Sequence, residues 1–150
     1  MELILWRHAE AEDGFPDSAR QLTGRGSDQA KRMADWLKPK LPENTRIIVS
    51  PACQTQQTAM ALQSDFVTEN ALGPGASAHA VLAVAGWPAA GGAVVIVGHQ
   101  PTLGEIVSYL IPVIPAGLRV KRGSVLWIRD EEKDGTIESK LHAVIYPEML

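Results

Sequence analysis

Residues 93–101 read Ala-Val-Val-Ile-Val-Gly-His-Gln-Pro, an apolar run that ends in glycine and is followed at once by polar residues. Two shorter runs have the same character, LILW at residues 3–6 and RIIV at residues 46–49. Strands that are apolar on both faces are typical of parallel sheets with helices on both sides. We therefore expect these three strands at the centre of a mostly parallel sheet.

Helical patterns lie between the strands. The first helix is expected to begin after Thr23 as N-cap and to be stopped by Pro39, because Ala30, Met33, Ala34 and Leu37 are spaced at i, i+3, i+4 and i+7. A second helix is expected to begin at Ser50-Pro51, because serine caps helices well and proline suits the first turn.

Two further helices are expected in the second half of the chain. One runs from near Ser77 to Gly86, and the other starts at Gln100-Pro101 and is stopped by Pro112. The apolar residues of the second of these follow the helical period closely. Each helix comes next to a predicted strand, which is the order expected of an α/β protein.

The C-terminal part of the chain predicts a hairpin. Residues 123–129 and 137–145 flank a charged turn that contains Asp134-Gly135, a dipeptide common in hairpin turns. The expected fold class is therefore α/β, with three α/β/α layers, a mostly parallel central sheet and this hairpin at the sheet edge. The length of 150 residues fits a single domain over residues 1–150.

Composition limits the classes of function. The 14 Lys and Arg residues against 17 Asp and Glu residues give a formal charge of -3, so bulk charge attracts neither nucleic acid nor an anionic membrane. An anion would have to be bound in a local pocket. The single cysteine, Cys53, excludes an internal disulfide, and neither a secretory signal nor a membrane-length apolar run is present, so a cytoplasmic location is expected.

Chemically useful residues follow the predicted strands. Arg7-His8 comes after the first strand and His99 after the strand at 93–97, and ligands of open α/β sheets bind at the carboxyl ends of strands. Imidazole can act as a nucleophile and guanidinium offers paired donors to phosphate oxygens, which favours phosphoryl transfer. The helix after Pro101 is expected to add main-chain amide donors to the same pocket.

Four sequence blocks follow one another in order along the chain. The blocks are Arg7-His8-Ala9, Leu22-Thr23-x-x-Gly26-x-x-Gln29-Ala30, Ser50-Pro51 with Gln57-Thr58-Ala59, and Gly98-His99-Gln100-Pro101. Together they resemble the histidine phosphatase superfamily, and the resemblance implies a phosphoglycerate mutase-like fold. The compact length and the Arg-His-Ala form of the first block are similar to the small SixA-type phosphohistidine phosphatases.

The resemblance implies a mechanism without metal or other cofactor. It implies that His8 is the nucleophile, that Arg7 and His99 hold the phosphoryl oxygens, and that water then hydrolyses the phosphoenzyme. Arg20 matches an arginine that the family places just before its Leu-Thr motif. Lys121, before the last hairpin, is a weaker candidate for the rim of the pocket.

One position departs from the family pattern. The superfamily motif Ser-Pro-x-x-Arg-x-x-Gln-Thr places an arginine in the phosphate pocket, and this chain has Gln54 there. Glutamine can donate a hydrogen bond to phosphate but supplies neither a charge nor a bidentate fork. Loss of one such donor typically slows catalysis by about 10² to 10³-fold, so reduced activity is expected.

The proton donor stays open at this point. The loop after the first strand carries Glu10, Glu12, Asp13 and Asp17, and no motif chooses among them. A solvated acidic loop is the ordinary interpretation of such a cluster. A phosphorylated imidazole depends less on a strong general acid than a phosphate ester does, because its nitrogen can be protonated before it leaves.

Three functions follow as hypotheses. The first is a phosphohistidine phosphatase acting on a partner protein, for example a histidine phosphotransfer domain. The second, based on Gln54, is a weakened or inactive member that binds phosphate or a phosphoprotein. The third is a phosphatase for small phosphate esters.

Overall fold

The three apolar runs form the middle of a six-stranded sheet. The computed structural model describes residues 1–150, and its sheet has the order β3-β2-β4-β1-β5-β6. β1 pairs in parallel with β4, β4 with β2 and β2 with β3, while β5 runs antiparallel to β1 and β6 antiparallel to β5. The strands are β1 (Glu2–Arg7), β2 (Arg46–Val49), β3 (Val67–Thr68), β4 (Ala93–Gly98), β5 (Val125–Lys133) and β6 (Thr136–Ile145).

Helices cover both faces of the sheet. Because side chains alternate along a strand, Leu3 and Leu5 of β1 enter one core while Ile4 and Trp6 enter the other. The first core includes α3 and α4, and the second includes α1 and α2. The helices are α1 (Gly24–Leu37), α2 (Cys53–Met60), α3 (Ala78–Ala85) and α4 (Thr102–Leu110). The expected α/β/α layers and the mostly parallel sheet are confirmed.

Capping explains where two of the helices begin. The Thr23 hydroxyl accepts a hydrogen bond of 2.9 Å from the Gly26 N–H at the start of α1, as predicted. Ser77 accepts a bond of 3.1 Å from the Ala80 N–H at the start of α3. Gly86 ends α3 in the left-handed conformation, with φ of 72°, which glycine adopts without strain.

The second helix begins later than predicted. It starts at Cys53 with Ala52 as the N-cap, and neither Ser50 nor Pro51 belongs to it. The Ser50 hydroxyl oxygen lies 2.7 Å from a ring nitrogen of His99, so this serine contacts another strand end instead of capping the helix. Strand β3 was not predicted, because two exposed residues carry no alternating pattern.

The C-terminal hairpin is confirmed, and both of its strands are longer than predicted. Asp134 and Gly135 have φ of 53° and 77°, the pair of positive values that a type I′ turn requires. β5 attaches the hairpin to β1 and β6 forms the edge of the sheet. The outer part of the hairpin is exposed on both strands, so it leaves little apolar periodicity in the sequence.

None of the helices is both long and apolar enough to cross a membrane.

Candidate active site

Two histidines meet where β1 and β4 end. Arg7 pairs with Gly98 across the two strands, and the His8 N–H donates a bond of 3.1 Å to the Gly98 carbonyl. This register places the ring of His8 with its centroid 5.5 Å from that of His99, at an angle of 58°. Arg7, His8 and His99 thus lie together at the carboxyl ends of β1 and β4, where the sequence predicted them.

His8 is held with one ring nitrogen free. Its Nδ1 lies 2.8 Å from the Ala9 carbonyl oxygen, and a carbonyl only accepts, so Nδ1 carries the proton and Nε2 keeps its lone pair. Burial lowers the pKa of His8 to about 4, the Ala9 hydrogen bond opposes this shift, and the charges of His99, Arg7 and Arg20 add to it. Near neutral pH the ring is therefore an uncharged base with Nε2 available.

His99 is oriented by a serine. The Ser50 hydroxyl oxygen lies 2.7 Å from His99 Nε2 and accepts from the Ala52 N–H at 3.3 Å. Because this buried O–H has no other acceptor, we assign it as the donor to Nε2. In neutral His99 the proton is then on Nδ1, which makes no hydrogen bond within the chain. Burial lowers the pKa of His99 to about 4, with Asp17 opposing the shift and Arg7 adding to it.

Arg7 has an unused donor. Its Nη1 donates a bond of 2.7 Å to the Val120 carbonyl, while its Nε is buried without a partner. Burial lowers the pKa of Arg7, and the nearby charges of Arg122 and Arg20 lower it further. A buried donor with no acceptor calls for an explanation, and an anion that binds in the site would supply the acceptor.

Arg20 lies near the site but is engaged by its own loop. Its Nε donates to the Glu12 carbonyl at 2.8 Å, and its Nη1 bonds the Asp17 carboxylate at 3.0 Å. Its charge still contributes to the low pKa of His8. The Lys121 Nζ lies 5.0 Å from the ring centroid of Tyr146, and Lys121 lines a cavity that Arg7 also lines.

Gln54 supports the same loop. Its side chain is fully buried, and Nε2 donates a bond of 3.1 Å to the Asp17 carbonyl and lies 3.5 Å from the Asp17 carboxylate. Its Oε1 is buried and has no partner. The amide donor at this position is thus committed to the loop, and the position contributes no positive charge.

The structure distinguishes the four loop carboxylates that the sequence could not rank. Asp17 lies close enough to raise the pKa of His99, although burial dominates that shift in the opposite direction. Glu10 instead accepts a bond of 3.1 Å from the Thr23 hydroxyl, and Glu12, Asp13 and Asp17 are all exposed. Among the four loop carboxylates, Asp17 alone shifts the pKa of one of the paired histidines.

Two of the first-turn amides of α4 already have acceptors. The Leu103 N–H donates to the His99 carbonyl at 3.1 Å, and the Gly104 N–H donates to Gln100 Oε1 at 2.8 Å. These two amides are therefore not available to a phosphate, and the expected contribution from the start of α4 is smaller by these two donors. The side chains of Arg7 and His99 each keep an N–H group without an acceptor in the chain.

A cavity of about 730 Å³ adjoins Arg7 on the β5 side of the site. Its lining residues are Arg7, Glu10, Arg25, Gln29, Gln100, Arg119, Val120, Lys121, Arg122, Tyr146 and Glu148. Of the cationic residues that line this cavity, only Arg7 and Lys121 were predicted from the sequence as candidates for the site. No three His, Cys, Asp or Glu side chains in the chain are grouped closely enough to hold a metal ion.

Comparison with known proteins identifies the family. The phosphohistidine phosphatase SixA of Escherichia coli is 41% identical over 59 residues, an alignment that spans 39% of this chain and 37% of that protein. The SixA homolog of Haemophilus influenzae is 34% identical over 126 residues, spanning 73% of this chain and 77% of that protein. The chain belongs to the SixA type of the histidine phosphatase superfamily. No family model matches it.

Solved structures agree with this assignment. The structure of the protein histidine phosphatase SixA complexed with tungstate has a TM-score of 0.83 and 25% identity, over 99% of both chains. A phosphoserine phosphatase from Entamoeba histolytica with 3-phosphoglyceric acid has a TM-score of 0.72 at 16% identity, over 95% of both chains, and shows the fold alone. The phosphoglycerate mutase-like fold is confirmed, and SixA relatives that are phosphatases support phosphatase activity for this SixA-type chain.

Proposed function

We propose that this chain is a phosphohistidine phosphatase that removes the phosphoryl group from a histidine of a partner protein through a phospho-His8 intermediate. The observation that carries the proposal is the state of His8. Its Nδ1 proton is held by the Ala9 carbonyl and its pKa is lowered to about 4, so Nε2 is an unprotonated nucleophile at neutral pH. The names of the SixA relatives support a phosphohistidine-containing protein as the partner.

The first step transfers the phosphoryl group. The lone pair of His8 Nε2 attacks phosphorus, the substrate's N–P bond breaks, and the leaving imidazole nitrogen takes a proton from solvent. The free Nε–H of Arg7 and the Nδ1–H of His99 are donors for the phosphoryl oxygens. Positive charge at Arg7 and Arg20 offsets the negative charge that a phosphoryl group brings into the buried site.

The second step returns the enzyme to its starting state. A water molecule attacks phosphorus of phospho-His8, the N–P bond to Nε2 breaks, and inorganic phosphate leaves with the water oxygen. The charge of Asp17 acts on His99, and we assign the Asp17 carboxylate as the acceptor of the water proton. Both steps are displacements at phosphorus, so the same donors serve both.

A labelling experiment tests this proposal. A histidine phosphotransfer domain carrying radioactive phosphohistidine is mixed with the enzyme and quenched in base on the millisecond scale. We expect acid-labile label on His8 and loss of both label and turnover in His8→Ala. His142→Ala is the matched control, because His142 packs beside Trp127, away from the site. Absence of label on the wild type together with full turnover by His8→Ala would contradict the mechanism.

A second candidate function rests on Gln54. The buried amide is bonded to Asp17 and supplies no charge, which favours a protein that binds phosphate or a phosphoprotein with slow turnover. Under this alternative, label reaches the site or stays bound to it while phosphate release is very slow. Phosphate esters that react severalfold faster than phosphohistidine would instead support the small-ester phosphatase. A cytoplasmic location and a part in signal transduction remain predictions.

A further inference from the structure

The cavity beside Arg7 has a charge opposite to that of the whole chain. The chain carries a formal charge of -3, yet five of the residues that line this cavity are cationic and two are acidic. We call it the basic cavity. The cations are Arg7, Arg25, Arg119, Lys121 and Arg122, and the acids are Glu10 and Glu148. Local positive charge of this kind raises the concentration of anionic partners at a surface.

Most of these cations lack a partner of opposite charge. No carboxylate lies within ion-pair distance of Arg119, Lys121 or Arg122, and all three are exposed. Arg25 reaches a Glu10 oxygen only at 3.9 Å. The charge of Arg122 also acts on Arg7, lowering its pKa. Like charges gathered without counterions repel one another, and an anionic partner would relieve that repulsion.

The lining favours a protein over a small molecule. Small-ligand pockets are mostly apolar and enclosed, whereas Val120 and Tyr146 are the only apolar side chains here and the cations are exposed. The cations also come from separate segments, with Arg25 on the first turn of α1 and Arg119 before β5. Exposed charges spread over an open surface are typical of protein contacts that steer association.

The basic cavity is tied to the candidate nucleophile. Arg7 lines it and bonds the Val120 carbonyl at 2.7 Å. The Gly123 N–H donates to the carbonyls of Arg7 and His8, at 3.1 and 2.9 Å. The cationic segment at residues 119–122 is thus fastened to the end of β1. A partner seated in the cavity would lie next to the site that receives its phosphoryl group.

We propose that the basic cavity docks an acidic surface of the phosphoprotein substrate, with substrate carboxylates beside the phosphohistidine paired to Arg25, Arg119 and Arg122. This inference rests on the proposed function, because it names the kind of protein that the site receives. It adds a preference that the phosphoryl chemistry alone does not supply. Substrate proteins with an acidic surface are favoured, because the cations of the basic cavity attract carboxylates that lie outside the phosphoryl group.

The test separates docking from chemistry with two peptides. One fluorescent peptide has four glutamates around a histidine, and the other has four glutamines at the same places. Binding of the unphosphorylated peptides is measured by anisotropy, and turnover is measured with their phosphohistidine forms and with free phosphohistidine. We expect the wild type to bind the glutamate peptide about tenfold more tightly, and to lose that preference as salt rises.

Two double variants of equal charge change complete the design. Arg25→Gln/Arg119→Gln removes two cavity cations, and Lys38→Gln/Lys133→Gln removes two exposed cations elsewhere. We expect the cavity variant to raise KM for the glutamate peptide about fivefold, with kcat and turnover of free phosphohistidine unchanged. The control variant should leave KM unchanged.

The outcomes of the two measurements are independent. Equal binding of both peptides by the wild type, or equal losses in both double variants, would overturn the docking proposal even if turnover is fast. Tight, salt-sensitive and cavity-dependent binding of the glutamate peptide supports docking even if no phosphohistidine is hydrolysed, in which case the proposed function fails. Displacement of that peptide by an equal concentration of citrate would indicate a small-anion site and overturn the protein assignment.

Discussion

The Nε2 of Gln54 lies 3.1 Å from the main-chain carbonyl oxygen of Asp17, the residue whose carboxylate acts to raise the pKa of His99. A position that carries an arginine in the superfamily motif is therefore occupied by a buried amide that holds the loop. The Asp17 carboxylate also bonds Arg20 at 3.0 Å. Gln54, Asp17 and Arg20 are thus connected by hydrogen bonds that hold the loop. The position of Gln54, however, lacks the positive charge that an arginine would supply.

Gln54→Arg should increase turnover of a phosphohistidine substrate, by up to about 10²-fold in kcat/KM, because a guanidinium adds charge and a paired donor. The gain is limited by the Asp17 carboxylate, which lies 3.5 Å from the present amide and competes for the new cation. Gln54→Lys is the matched control and should gain less, because it lacks the planar fork. Fast wild-type turnover with no gain in either variant would show that the missing charge does not matter.

The rate of phosphoenzyme formation should stay high down to about pH 5 and fall below it. Burial lowers the pKa of His8 to about 4 from an ordinary 6.5, so the nucleophile remains unprotonated through the range in which an exposed histidine gains its proton. The measurement is a single-turnover pH profile between about pH 3.5 and 8. A fall in the rate centred near pH 6.5 would show that His8 titrates normally and would contradict the lowered pKa.

Folding stability should fall as the pH drops from about 6.5 toward 4. The pKa values of His8 and His99 are both lowered to about 4 in the folded protein, so the unfolded chain binds more protons in this window and is favoured there. The expected loss by about pH 5 is on the order of 1–2 kcal/mol for each histidine. Urea unfolding of the wild type and His99→Gln at several pH values checks this. An equally steep decline in the variant would assign the effect to other groups.

Ser50→Ala should lower the activity of the enzyme, whereas Ser124→Ala should not. Ser50 donates to His99 Nε2 over 2.7 Å, so its loss leaves the ring free to turn, and we expect kcat to fall about tenfold or more. Ser124 is equally buried, but its hydroxyl has no partner, so Ser124→Ala should leave activity intact and keep or raise the free energy of unfolding. Steady-state kinetics and urea melts of both variants decide the matter. Equal activities of the two variants would contradict a role of Ser50 in positioning His99.

Gly26→Ala should destabilise the protein, whereas Gly24→Ala should not. A Cβ at Gly26 would lie 1.9 Å from the Glu10 carbonyl oxygen, so α1 would have to move away from the loop that follows β1. A Cβ at Gly24 meets nothing within 4 Å, and alanine favours the helix by about 0.5–1 kcal/mol. We expect a loss of about 1–3 kcal/mol for Gly26→Ala. Thermal melts of the two variants make the comparison, and similar midpoints would contradict the close approach.

The fold could be predicted from local patterns because its central elements are strongly periodic. β2 and β4 begin where the apolar runs begin, and α1 begins after the predicted cap. Burial on both faces of a strand leaves a continuous apolar run, which sequence displays directly. β3 was not predicted, and the strands of the hairpin were predicted too short, because exposed residues produce no continuous apolar run in the sequence.

The sequence alone determined the fold class of the protein and the place of the candidate site in it. Apolar runs and helical spacing specify an α/β sheet, and the residues after two of its strands identify Arg7, His8 and His99 as the group that meets at the sheet edge. Those conclusions depend on periodicity along the chain, which is a local property.

Tertiary structure decided what each side chain does there. Ser50 proved to be a partner of His99 instead of a helix cap, and Gln54 and Arg20 proved to bond Asp17. The cations of the basic cavity come from three separate segments of the chain, at Arg7, at Arg25 and at residues 119–122. Such contacts join residues of unrelated sequence position, and hydrogen bonds and charge effects depend on distances of a few ångströms that only packing of the whole chain establishes.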